Sequence, residues 1–275
     1  MPPRSASGAQ IVFLSFAVML VSLPLSDVIS SQLGAPKEMA RFIGNSLAFG
    51  LGLVAIVSFP SLRRLVFAEL SRPIPPESRI EVALVASCKL ALVFAFAGGI
   101  ALWSWLQFGS VLTTDFVSRP RAEMLNEAFS ELGMLTQLFM AVLVGPVIEE
   151  ILFRGLLFQA WERRWGAPIA AVLTSALFAS YHPYIVHTFV SGIVYVCVVR
   201  RTGSLWGSIV VHAFYNLSIW YPLAGQWLYL DPSQAVRDIS TWGLHLACLL
   251  ITLLILPAYV WMAAMHPYPR RPETA

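Results

Sequence analysis

The chain has 275 residues, of which 57% are hydrophobic and only 12% charged, with a formal net charge of +3. A soluble domain carries about a quarter of its residues as charges. The balance excludes a disordered chain, a disulfide scaffold and an ordinary soluble enzyme, and predicts an all-α, polytopic transmembrane helical bundle with no nucleic-acid partner.

A spanning helix needs about 20 mostly apolar residues. About eight segments meet this in chain order: 11–32, 42–59, 82–106, 132–160, 167–186, 188–199, 204–223 and 240–265. The sixth is short and runs on almost directly from the fifth. The first can also be read as a signal peptide, because Ile11–Ser26 is an uncharged run behind Arg4; a retained span is the favoured reading. The stretch 60–81, with Pro60, Pro73, Pro75 and Pro76, reads as a loop, as do 109–131 and the tail after His266.

The expected organisation is one membrane domain. Residues 1–131 form the N-terminal spans and loops, 132–223 a core that carries the polar motifs, and 224–275 the last span and tail. With the N-terminus in the cytoplasm, 11 of the 18 Lys and Arg fall on the cytoplasmic side and 5 on the other, and Lys89 and Arg154 lie within spans. The positive-inside rule then places both termini in the cytoplasm of a multi-pass protein, expected in the plasma (inner) membrane.

Ionisable groups at membrane depth cost at least ~2.5–3.5 kcal/mol each and need a reason. Three places hold them: Glu149, Glu150 and Arg154 in the fourth span, His182 in the fifth, and His212 with Asn216 in the seventh. Glu150 and Arg154 are four residues apart and share a helix face, as do His212 and Asn216. At ~1.5 Å per residue, Glu149 and Asn216 lie ~18 Å, His182 ~22 Å and His212 ~12 Å from their boundaries. Three helices thus bring polar groups towards one layer.

A buried carboxylate near a histidine can hold and deprotonate a water, and a second histidine with an amide can donate to an oxyanion. The same Glu and His set could ligate a divalent metal such as zinc, through Glu149, His182 and His212. Spacing does not decide between the two, and no HExxH pair is present.

Glu149-Glu150-x-x-x-Arg154-Gly155, Phe178-x-x-x-His182 and His212-x-x-x-Asn216, with Arg201-Thr-Gly-Ser-Leu205 ahead of the last, resemble the CPBP intramembrane proteases. That family includes type II CAAX prenyl endopeptidases and bacteriocin-immunity-type proteins. The resemblance covers residues 145–217. It implies a glutamate-type or metallo- endopeptidase, a hydrolase acting on a membrane-anchored or prenylated protein or peptide, with a site open to the cytoplasmic side. By position, Glu149 would activate water with His182, His212 and Asn216 would stabilise the oxyanion, and Glu150 and Arg154, beside Phe178, would support the site. The alternative is a non-catalytic peptide-binding or immunity-type membrane protein on the same scaffold; a transporter or proton relay ranks last, because no inverted repeat is visible.

Other residues read as ordinary. Cys88, Cys197 and Cys248 are expected as small core residues, His187 as solvated and His245 as packing or pore-facing. Lys89 is expected to snorkel to the boundary. Trp103, Trp105, Trp161, Trp165, Trp220, Trp227 and Trp261 fit an interfacial aromatic belt.

Overall fold

The computed structural model describes residues 58–108, 138–180, 182, 185–220 and 239–268, with isolated positions 28, 32, 44, 47, 50 and 54. The described residues are helical almost throughout, and no strand occurs among them. Helix α1 spans Pro60–Leu70, and α2 spans Arg79–Phe108 after a short 3-10 turn, Pro76–Ser78. Helix α3 is the continuous run 138–165, in which π-helical Met140–Val144 and Ile151–Phe158 alternate with α-helical Gly145–Glu150 and Gln159–Trp165. Helix α4 spans Ala167–Ala179, α5 Ile185–Thr202, α6 Leu205–Trp220 and α7 Ile239–Met265.

Helix α2 packs against α6 and along α7, α5 packs against α4 and α7, and α3 lies against α4 and α6. The core forms where α1, α2, α3, α5 and α6 converge, on Leu62, Val82, Ile148, Leu157, Val198 and Val211 among others. Gly192 sets the spacing of α4 and α5: a Cβ there would lie 2.8 Å from the Ser175 Cβ, so only hydrogen fits.

Several expectations need correction. The segment 60–81 is not a continuous loop. Pro60 stands at the start of a helix, where its missing N–H costs nothing, and α1 runs until the prolines from Pro73 onward stop it. The fifth predicted span ends early, at Ala179, and α5 already begins at Ile185. Pro183 follows His182 and disfavours helical backbone at that residue, so His182 sits in the turn, with its N–H on the Ala179 carbonyl at 3.0 Å.

Cys197 and Cys248 are buried as expected, but Cys88 is exposed. Its neighbour Lys89 points the other way and is 2% exposed, so it does not snorkel. Successive residues on a helix diverge by about 100°, and an evenly apolar helix gives no pattern from which to choose the inward face.

By length and composition, two described helices can cross a membrane, Ile185–Thr202 and Leu246–Met265. The second exposes Leu250, Leu253, Leu254, Ile255 and Trp261, an apolar surface suited to lipid. Of the other described candidates, α2 is 30 residues long and carries Lys89, α4 and α6 are 13 and 16 residues long, and α3 is interrupted by charge. Most of the first and second predicted spans, the loop 109–131 and Trp227 lie outside the described residues, as do the side chains of Trp103, Trp105, Trp220 and His245.

Candidate active site

Glu150 is the most fully engaged group in the core. It is fully buried. Its Oε1 accepts from Arg154 Nη1 at 3.1 Å and from His212 Nδ1 at 3.0 Å, and its Oε2 accepts from Ser208 Oγ at 2.8 Å. Arg154 is equally buried; its Nη2 donates to the Gly192 carbonyl at 3.3 Å, and its guanidinium stacks against Phe178 at 4.5 Å and Tyr195 at 5.0 Å. The Glu150–Arg154 pair thus ties α3, α5 and α6 together. Burial of a charge is tolerated only with partners of this kind.

Glu149 stands one residue away and does something else. Its side chain is 13% exposed, and its Oε2 faces His212 Nε2 at 3.7 Å, too far for a hydrogen bond. Two atoms at this separation can both reach one water placed beside them. The π-helical Ile151–Phe158 follows both glutamates directly, and departures of this kind from α-geometry are frequent at functional sites.

The two histidines are held in the same manner. A carbonyl oxygen can only accept, so the 2.7 Å contact between His182 Nδ1 and the Phe178 carbonyl fixes the proton on Nδ1. In the neutral ring Nε2 is then the acceptor. His212 likewise gives Nδ1 to Glu150 and turns Nε2 towards Glu149. Phe178 stacks on His182 at 4.6 Å and meets His212 edge-on at 5.9 Å, and Tyr195 stacks on His212 at 4.6 Å.

The three sequence motifs therefore meet: Glu149, Glu150, Arg154, Phe178 and His212 through contacts named above, and His182 through Phe178. Asn216 commits one N–H outside this cluster. Its Nδ2 donates at 2.8 Å to the carbonyl of Ala141, in the π-turn of α3 where a carbonyl is released from the helical ladder. Arg154 does not snorkel. His187, expected in solvent, is 8% exposed and bonded through Nε2 to the Tyr215 hydroxyl at 3.0 Å, because it lies in the first turn of α5, which packs against α6.

Sequence reading missed Ser208, Tyr195 and Lys89. Ser208 had a usable signal, since it precedes His212 by four residues on the face that includes Asn216. Lys89 donates to Ser191 Oγ and lies over the Tyr215 ring at 3.9 Å and the Tyr195 ring at 5.0 Å. No motif links α2 to the site.

Among the described residues no group of three or more His, Cys, Asp or Glu is placed to hold a metal ion. Both Glu150 oxygens are taken up by Arg154, His212 and Ser208. Glu149, His182 and His212 are not placed together as a ligand set.

The described residues form a helical bundle around a buried Glu/His centre. Residues 131–218, the stretch that holds all three motifs, match the family described as type II CAAX prenyl endopeptidase Rce1-like, and the resemblance read from them holds. The chain is also 25% identical over 215 residues to the Bacillus subtilis (strain 168) protein named "Putative membrane peptidase YdiL", a match covering 74% of this chain and 84% of that one. No solved structure matches the chain significantly. Together these support a membrane protein of the protease, hence hydrolase, class.

Proposed function

We propose that the chain is an intramembrane endopeptidase that hydrolyses a peptide bond in a membrane-anchored or lipidated protein by a glutamate-activated water. The carrying observation is the division between adjacent carboxylates: Glu150 is saturated, whereas Glu149 faces a histidine nitrogen across 3.7 Å. Water held between Glu149 and a histidine Nε2 attacks the scissile carbonyl, and its proton passes to Glu149. His212, when protonated at Nε2, donates to the resulting oxyanion, and the second N–H of Asn216 assists it. The tetrahedral intermediate collapses with loss of the amine, which takes the proton back from Glu149. His182 completes the water site, and Glu150 with Arg154 fixes His212.

The matched family supports a prenylated or otherwise membrane-associated substrate. The apolar composition and the arginine distribution favour about eight spans with both termini in the cytoplasm, as one membrane domain with its catalytic core at 132–223.

The test compares cells carrying wild type with cells carrying Glu149→Ala at matched membrane levels, and sequences the termini of membrane proteins. New termini that appear only with wild type support the protease and reveal its substrate class. Identical termini, with a phenotype that both versions rescue, overturn it in favour of a peptide-binding or immunity-type role.

A further inference from the structure

On the far side of α6 from Ser208 and His212, an open groove of about 670 Å³ runs between α6, the end of α1 and the start of α2. Its walls are Leu70, Pro73, Ile74, Trp206 and Val210, with Arg79 as the charged group of its lining. Trp206 closes one end by donating Nε1 to the Leu70 carbonyl at 2.8 Å. Below it Val210, Phe214 and Leu217 are all exposed and follow one another at helical spacing, extending the apolar surface along α6.

Arg79 differs from four of the eight other described arginines. Arg72, Arg154, Arg200 and Arg201 each meet a carboxylate. Arg79 is exposed and has no carboxylate partner among the described residues. An apolar trough headed by a guanidinium with no carboxylate beside it complements a molecule with an anionic head and a hydrocarbon tail.

We propose that this groove binds an anionic phospholipid of the surrounding bilayer, its phosphate on Arg79 and an acyl chain along Trp206 and Val210. The lipid braces the outer face of the helix whose inner face carries His212.

The test offers phosphatidylglycerol or phosphatidylcholine of matched chains to the delipidated protein in detergent and counts retained lipid by native mass spectrometry. Wild type is expected to prefer phosphatidylglycerol by on the order of fivefold, the worth of one basic group near an anionic head. Arg79→Gln abolishes the preference, and Arg79→Lys keeps it. Arg64→Gln, on exposed α1 outside the groove lining, also keeps it. Val210→Trp fills the groove at a position 43% exposed and lowers retention of both lipids. Equal retention by wild type, or a preference that survives Arg79→Gln, overturns the proposal. So does full competition by glycerol phosphate, which would make the site one for a bare anion. If Val210→Trp spares lipid but raises KM for a cleaved substrate, the groove belongs to the substrate's anchor, and the proposal again falls.

Discussion

Two regions of this protein hold charge in opposite ways. Around Glu150 the charges are fully buried, and Arg154, His212 and Ser208 together occupy both carboxylate oxygens. At the end of α5 the charges are only partly buried, their side chains 13–26% exposed, and spread over several elements. Arg201 grips Glu81 of α2 at 3.0 and 3.1 Å and the His266 carbonyl at 2.7 Å, while Arg200 pairs with Glu162 of α3 and the Ala263 carbonyl. The Tyr268 N–H closes onto the Arg200 carbonyl at 2.7 Å, and its ring lies where a Cβ at Gly203 would be, a residue at φ +62°. The first region fixes the geometry of a site; the second clasps helix ends together. Desolvation makes the first intolerant of any missing partner, whereas solvent screening makes the second forgiving.

The comparison breaks most visibly at the buried pair. Arg154→Met leaves Glu150 buried without its counter-ion and should cost about 3–5 kcal/mol, enough to unfold a marginal domain; thermal unfolding in detergent or membrane levels in cells would read it. Ser208→Ala removes one hydrogen bond to a charged oxygen and should cost about 1.5–3 kcal/mol by the same measurement. Asn216→Ala should cost about 1 kcal/mol through the Ala141 carbonyl and, on the proposed mechanism, should slow cleavage as well. Arg201→Gln is expected at the bottom of the scale, below about 1 kcal/mol in stability, and its effect should shrink further at high salt. An Arg201 effect as large as that of Arg154→Met would erase the distinction between the two regions.

Much of the site was legible because ionisable residues have so little business in apolar helices. Glu149, Glu150, Arg154 and His212 stand out against their surroundings, and i, i+4 spacing was enough to pair Glu150 with Arg154. Spacing could not aim Asn216, because its acceptor is the Ala141 carbonyl, left open where the Gly145 N–H bonds Met140 instead and Pro146 has no N–H to give. Lys89 was misread for a related reason. On an evenly apolar helix the sequence does not say which side faces lipid, and the partners that bury it, Ser191, Tyr195 and Tyr215, come from two distant helices. The helical class followed from composition, but element ends did not: Pro60 begins a helix where a run of prolines suggested a loop.

The central claim is that two adjacent carboxylates divide structure from chemistry. The direct test is to purify Glu149→Gln and Glu150→Gln beside wild type and to measure, for each, the melting temperature and the cleavage rate on a substrate found by terminus sequencing. The account predicts that Glu149→Gln melts close to wild type while cleavage falls by roughly 10²–10⁴-fold, the usual loss on removing a general base, and that Glu150→Gln loses melting temperature first. A Glu149→Gln protein that still cleaves at the wild-type rate would contradict it.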